Sequence, residues 1–270
     1  MYNLTTMSKQ TELTDAEMLR YARQILLEGW DIEAQTRLKN SCAIIIGMGG
    51  LGCPLAETLC RAGIGKLLII DDDTIDESNL QRQSLFTPND IGQSKALVAK
   101  AKLNQINAFC DIIAIQTRLT ADNYQQMIEQ TKINSLSKII CDCTDNFKTR
   151  DLINTIAVKS NLSLLSASAI AQTGQLALFT PQQGCYHCLF QGAGDDERNC
   201  ATSGVLASTT QIIGNLQAQA ALSFLGLGIN PIAQTLLLWN GKTMNLKKLH
   251  YRKDANCEIC SHPSAITDVI

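Results

Sequence analysis

The feature that most restricts what this chain can fold into is the junction at 41–52. An apolar run over 41–46 ends in Gly47-Met48-Gly49-Gly50-Leu51-Gly52, and residues 51–62 continue with helical spacing. A short, continuous apolar run reads as a strand buried on both faces, which is the habit of parallel sheets. A glycine-rich turn from such a strand into a helix opens a doubly wound unit. The alternation continues downstream. Strands are predicted over 67–70, 112–115 and 138–143, with helices over 94–104, 122–131 and 147–160. The expected fold class is therefore α/β: a Rossmann-like, mostly parallel sheet with helices on both faces. The second half reads as less regular. It offers strands over 163–169 and 174–179, a long helix over 205–225, and a hairpin of 235–239 with 243–249 around Asn240-Gly241. Upstream, Thr14 followed by Glu17 marks a capped helix start. Residues 261–270 show no pattern and read as a tail.

A chain of 270 residues can bury such a core without covalent staples. Its charged share is 18%, against a usual share of about 25%, which favours interior over surface. The net charge of −2 gives no reason to expect nucleic acid or an anionic membrane as a partner. Residues 1–14 are polar and lack the apolar segment of a secretory signal. The least polar stretch, 204–229, carries Gln211, Asn215, Gln217 and Gln219, so it reads as a buried helix and not as a membrane span. A cytoplasmic location is expected. The eleven cysteines are then not a disulfide framework. Cys42, Cys60 and Cys110 sit among apolar residues and read as small core groups.

Glycines at 47, 49 and 52 let backbone approach a phosphate, and the N-terminus of the following helix favours negative charge there. Asp71 closes the second strand, where an acid hydrogen-bonds a ribose hydroxyl, and it opens the run Asp71-Asp72-Asp73. These features together point to a nucleotide. The next segment, Ser78-Asn79-Leu80-Gln81-Arg82-Gln83 with Lys95 beyond it, is dense in hydrogen-bond donors. Such groups suit a triphosphate; they also suit an ordinary solvated loop. Asp145, in Cys143-Thr144-Asp145-Asn146, falls just past the end of a strand. A carboxylate there holds magnesium beside phosphates or caps the helix that follows.

Cys185-Tyr186-His187-Cys188 and Cys257-Glu258-Ile259-Cys260 can present four thiolates to one zinc ion. With every position filled by cysteine, such a zinc is structural, and it ties a distant C-terminal segment to the body. The alternative is unrelated or redox-active thiols. Cys200, in Asp196-Glu197-Arg198-Asn199-Cys200, stands apart in a polar loop. Arg198 would favour its thiolate, although a lone loop cysteine is also commonly incidental.

Taken in order, these segments resemble the ThiF/MoeB/HesA family, bacterial relatives of the ubiquitin-activating E1 enzymes. The resemblance rests on Arg20-Tyr21-Ala22-Arg23-Gln24-Ile25, Gly47 to Gly52, Ser78 to Gln83, Cys143-Thr144-Asp145-Asn146 and both CxxC pairs. It covers 13–260, which it implies to be one E1-like adenylating domain between tails at 1–12 and 261–270. Within it, about 41–160 would hold the nucleotide and about 161–260 the carrier protein and the zinc. The implied activity is ATP-dependent adenylation of the C-terminal glycine carboxylate of a ubiquitin-like sulfur carrier, with Mg2+. Gly47, Gly49 and Gly52 match the family's nucleotide loop and Asp71 its ribose-binding acid. Asp73, Ser78, Asn79, Gln81, Arg82 and Lys95 belong to the nucleotide-holding set, and Asp145, with Asn146 beside it, to the magnesium-associated position. Arg23 matches an arginine that reaches into the partner subunit's ATP site, which implies a homodimer. Cys185, Cys188, Cys257 and Cys260 match zinc ligands.

The resemblance divides over the carrier. The segment 13–21 looks closer to MoeB, which serves molybdopterin synthesis. Asp71-Asp72-Asp73, Ser166-Ala167-Ser168 and Glu197-Arg198-Asn199-Cys200 look closer to ThiF, which serves thiazole synthesis, and Cys200 matches the ThiF cysteine that bonds to the carrier. No rhodanese domain follows in the sequence, so a separate persulfide-bearing protein is the expected sulfur donor. Three other readings share parts of the pattern: a nicotinamide-dependent oxidoreductase, a non-catalytic E1-like scaffold, and a tRNA threonylcarbamoyladenosine dehydratase. The first leaves 78–83 unexplained, the presence of Arg23, Arg82, Lys95 and Asp145 opposes the second, and the near-neutral charge and CxxC pairs oppose the third.

Overall fold

The computed structural model describes residues 11–130, 137–191 and 204–261. Two helices, α1 (Asp15–Ile25) and α2 (Asp31–Lys39), precede β1 (Ser41–Ile46). There follow α3 (Gly52–Ala62), β2 (Lys66–Ile70), α4 (Lys95–Ile106), β3 (Asp111–Ile115), α5 (Tyr124–Glu129), β4 (Ser137–Asp142), α6 (Phe147–Lys159) and β5 (Ser163–Ile170). The last part comprises β6 (Thr173–Phe179), α7 (Tyr186–Phe190), α8 (Ala207–Leu222), β7 (Thr235–Asn240) and β8 (Asn245–His250). All eight strands form one sheet in the order β3-β2-β1-β4-β5-β6-β7-β8. The first five run parallel, and β6, β7 and β8 each pair antiparallel with their neighbour.

The central strands read as unbroken apolar runs because both of their faces are covered. Along β1, Ala43 and Ile45 enter one core while Cys42, Ile44 and Ile46 enter the other, the two-residue alternation of a strand. Helices α2, α3, α4 and α8 supply the first core through Leu38, Leu55, Leu59, Ala99, Leu103 and Ile213. Helices α5 and α6 supply the second through Met127, Ile153 and Ile156. Cys42, Cys60 and Cys110 are buried in these layers, as their surroundings predict.

Two sequence expectations needed adjusting. The helix of 205–225 is α8 followed by a π turn, Ser223–Leu227. There Gly226 lies against Trp30, so close that a Cβ would meet the indole at 2.6 Å. In the terminal hairpin, Asn240 is not a turn residue. It ends β7, pairs with Asn245, and leaves 241–244 as the connection. α2 was not anticipated. Its buried positions are Ala34, Gln35 and Leu38, too few to show a helical stripe.

The N-terminal helices are locked by one carboxylate. Thr14 caps α1, accepting from the Glu17 N–H, and Glu17 accepts from the Thr14 N–H and hydroxyl at 2.8 Å each. Lys39, at the end of α2, donates to the same Glu17 oxygen at 2.6 Å. Burial pushes the Glu17 carboxyl up, but the Lys39 ammonium and the Thr14 donors outweigh it and hold it below the ordinary glutamate value. A depressed carboxyl contributes stability above its unfolded pKa and loses it as pH falls through the folded value. Glu17→Gln keeps a capping-box side chain but loses the charge. It is expected to cost about 1–3 kcal/mol at pH 7, with the difference from wild type shrinking only as pH falls below the ordinary glutamate value of about 4.3 and on through the lower folded one. Urea unfolding at several pH values reads this directly, and a cost independent of pH would contradict it.

Candidate functional site: a nucleotide-shaped cleft and a four-cysteine cluster

β1 is flanked by β2 on one side and β4 on the other. The chain thus reverses its winding direction there, and doubly wound sheets open a crevice at that point. A cleft of about 340 Å³ occupies it, at the C-terminal ends of the parallel strands. Gly47 makes the crevice possible. Its φ is +94°, and a Cβ would stand 2.8 Å from the Cys143 carbonyl. Gly52 serves the same turn from within, since a Cβ there would lie 2.0 Å from the Gly47 carbonyl. Gly52 does not itself line the cleft, whereas Gly47, Gly49 and Gly50 do. Helix α3 begins without a side-chain cap and without an acid in its first turn, so its leading N–H groups face a site that favours an anion.

Asp71 sits at the end of β2 and fixes the glycine loop. One carboxylate oxygen accepts from the Met48 N–H at 2.6 Å, the other from the Asp73 N–H at 2.8 Å. Burial raises its carboxyl above the usual aspartate value, against those donors and the Lys95 charge. Lys95, the first residue of α4, is buried and pairs with Asp73 at 2.8 Å. Asn79 and Arg82 line the same wall, and Arg82 donates to the Ser78 carbonyl at 2.9 Å. Ser78 and Gln81 do not line the cleft: Ser78 bonds Asp76, and the Gln81 side chain is exposed.

The opposite wall follows β4. Asn146, not Asp145, caps α6, accepting from the Thr149 N–H at 2.9 Å. The capping alternative for Asp145 therefore falls away. Its carboxylate is exposed in the cleft and makes no hydrogen bond or ion pair among the described residues. The loop beneath it is anchored by Asp142, which is buried and accepts from the Thr144 N–H and hydroxyl and from the Ser166 hydroxyl. Arg150 donates to the Thr144 carbonyl at 2.7 Å, and its Nε lies 3.6 Å from Asp142. Beyond Asp145 the cleft meets a wider groove of about 770 Å³, bordered by Phe147, Ser168, Trp239 and Lys247.

Gln83, Arg118 and Thr210 also line the cleft and were not singled out from the sequence. Gln83 is buried with an unpartnered Oε1. It stands in the donor-rich segment, which is the signal that marks it. Arg118 pairs with Asp72 at 3.3 Å. Thr210 arrives from α8, and Gln211 beside it donates to the Arg82 carbonyl; no sequence signal places that helix here. Arg23 is exposed on α1 and does not line this chain's cleft. Cys200 lies outside the described residues.

The two CxxC pairs meet. The Sγ atoms of Cys185, Cys188, Cys257 and Cys260 all lie within 4.8 Å of one another, and all four residues are buried. The separations are 3.9 Å for 185–188, 3.7 Å for 185–257 and 3.4 Å for 188–260. Four thiolates at about 2.3 Å from a tetrahedral zinc ion stand roughly 3.8 Å apart, so the donor set fits a metal of that size.

Comparison with known proteins agrees with this architecture. The ThiF family pattern matches residues 21–259. The chain is 39% identical over 255 residues to the sulfur carrier protein ThiS adenylyltransferase of Escherichia coli K12, covering 94% of this chain and 99% of that protein. It is 35% identical over 251 residues to the molybdopterin-synthase adenylyltransferase of Salmonella typhimurium LT2, covering 92% and 98%. The crystal structure of E. coli MccB with succinimide superposes with a TM-score of 0.75 over 92% of this chain and 74% of that one, at 22% identity, a likeness of fold. Matched along nearly its whole length, the chain belongs to the ThiF family.

Proposed function

We propose that this protein adenylates the C-terminal glycine carboxylate of a ubiquitin-like sulfur carrier, of the thiamine or the molybdopterin pathway. The observation that carries the reading is the meeting of two cavities at Asp145: a cleft lined by the glycine loop, Asn79, Arg82 and Lys95, and a second groove of about 770 Å³ open beside it, which would take the carrier's C-terminal tail. A nicotinamide enzyme leaves the donor-rich segment 78–83, whose Asn79 and Arg82 line the cleft, unexplained. The names of the two bacterial relatives point the same way. Residues 13–260 act as one adenylating domain in the cytoplasm, with 41–160 holding ATP and 161–260 presenting the carrier groove and a structural zinc.

The chemistry asks for positioning and charge. A carrier carboxylate oxygen attacks the α-phosphorus of ATP, the bond to the bridging oxygen breaks, and pyrophosphate leaves with the electron pair. Asn79, Arg82 and Lys95 offset the charge that gathers on the leaving group. For Lys95 this means exchanging its Asp73 partner for phosphate. Asp71 keeps the glycine loop shaped for the ribose and phosphates. Asp145 would hold a magnesium ion, which supplies further charge neutralisation when bound. The terminal sulfur of a donor persulfide then attacks the acyl carbon and displaces AMP, and the Cys200 thiolate attacks the resulting acyl disulfide, expelling the donor thiolate and joining the carrier to the enzyme. Arg23 completes the ATP site of the partner in a homodimer. Leu19 on α1 and Leu26 just past its end are 82% and 77% exposed, apolar surface that such a dimer contact would cover.

Three outcomes test the reading. Asp145→Asn is expected to lower ATP–pyrophosphate exchange with the cognate carrier by 10²-fold or more, while Cys200→Ser leaves exchange near wild type, because a thiol has no part in carboxylate attack on phosphorus. Loss of exchange in a folded Cys200→Ser protein would contradict the division of labour. Arg23→Ala and Asp145→Asn chains, each inactive alone, are expected to recover part of the activity after subunit exchange, since some heterodimers then carry one intact site. Failure with heterodimers demonstrated by native mass spectrometry would confine Arg23 to its own subunit or to no site. Elemental analysis is expected to find about one zinc per chain, with Cys257→Ser lowering the melting temperature, because a structural metal contributes folding energy. A folded, zinc-free preparation would end the zinc assignment.

A further inference from the structure

The four-cysteine cluster and the nucleotide cleft are joined by a single row of side chains on α6. Asn146, Arg150, Asn154 and Val158 recur every four residues, a row that winds slowly along the helix and spans about 18 Å. Each member contacts something with chemical consequence. Asn146 caps the helix and lines the cleft. Arg150 is buried, donates to the Thr144 carbonyl and lies against Asp142, so it holds the loop that displays Asp145. Asn154 is buried, accepts from the Tyr186 N–H at 2.9 Å and directs its amide at the Cys185 sulfur, 3.6 Å away. Val158 packs on the cysteine cluster itself.

The middle of this row is incompletely satisfied. Arg150 Nε and the Tyr186 hydroxyl are both buried and neither has a partner at full hydrogen-bond geometry, while the Tyr186 phenol lies close enough to the Arg150 side chain to interact with it, with the Asp142 charge nearby. Buried polar atoms are nearly always paired, so two orphans at one junction mark a contact that a small shift of the cysteine knuckle against α6 makes or breaks. Tyr186 follows Cys185 directly, so movement at the metal cluster reaches this junction without an intermediary.

We propose that α6 couples the two sites, with Arg150 and Asn154 as positioning residues: metal occupancy of the Cys185–Cys188–Cys257–Cys260 cluster sets how firmly the loop of Thr144 and Asp145 is held for magnesium and ATP. The proposal rests on the adenylation reading above and adds to it that the cluster acts on the site as well as on the fold. Coupling between binding sites is reciprocal, and this supplies a test other than turnover. In the zinc-loaded full-length protein, zinc affinity is measured by competition with a chromophoric chelator, with and without saturating magnesium and ATP, and ATP binding is measured by calorimetry. Magnesium and ATP are expected to tighten zinc binding about fivefold or more in the wild type. In Asn154→Ala and in Arg150→Lys that factor is expected to fall to within about twofold of unity, with zinc stoichiometry and circular dichroism retained. Ile156→Val, a core change on another face of the same helix, should lower stability and leave the factor intact. A wild-type protein that binds magnesium and ATP with unchanged zinc affinity overturns the coupling alone, as do variants that keep the wild-type factor. A wild-type protein that binds no ATP overturns the adenylation reading and the coupling with it.

Discussion

The structure depends on the close approach of backbone to backbone where β1 and β4 part. Gly47 lies so near the Cys143 carbonyl that any side chain would collide with it, and its own N–H donates to the Ile70 carbonyl of β2. One residue thus stitches three strands at the point where the sheet changes its winding direction. The cleft exists because the strands diverge immediately beyond that contact. The glycine loop, the Asp71 carboxylate and the loop after β4 all take their positions from it. An alanine at 47 would bring both the steric clash and an unfavourable positive φ.

Around that point the protein sets polar groups into an apolar frame with unequal completeness. Gln217, buried in α8, donates to the Asp142 and Leu165 carbonyls and so ties the end of β4 to β5. Asp142 accepts from the Thr144 N–H and hydroxyl and from the Ser166 hydroxyl. Asp145, three residues later, has no such donor among the described residues, and Gln83 keeps an unpartnered oxygen on the facing wall. Saturated groups underneath give a rigid floor, and unsaturated groups above it await a ligand, which is the arrangement that preorganised sites need.

The C-terminal half is not a separate body. β5 to β8 extend the same sheet, and the second CxxC pair returns to meet the first beneath α6. Because α7 begins at Tyr186, between two cysteines of the cluster, the knuckle is packed as core as well as arranged as a ligand set: Tyr186 stacks on Phe190 at 4.4 Å and meets Phe179 edge-on at 6.0 Å. No helix among the described residues is long and apolar enough to cross a membrane. The 204–229 stretch finds its apolar surroundings inside the protein, between the sheet and α3.

The sequence by itself determined the elements whose physics is local. β1, the turn at 47–52, α3 and the capping pair of Thr14 and Glu17 were legible because strand alternation, glycine at a tight turn and side-chain caps act within a few residues. The two CxxC pairs suggested by their chemistry a common meeting point, and the structure brings their four sulfurs together. What only the tertiary structure decided required neighbours far apart in the chain. Asp145 was ambiguous until Asn146 proved to be the cap that leaves it free. Thr210 enters the cleft because α8 packs on α3 from some 150 residues away, with Gly214 against Pro54. The row on α6 acquires meaning only where Asp142 stands at one end and Cys185 at the other. Local patterns fix conformation through short-range sterics and hydrogen bonds, whereas the pairing of buried polar groups is settled by packing, which no window of sequence contains.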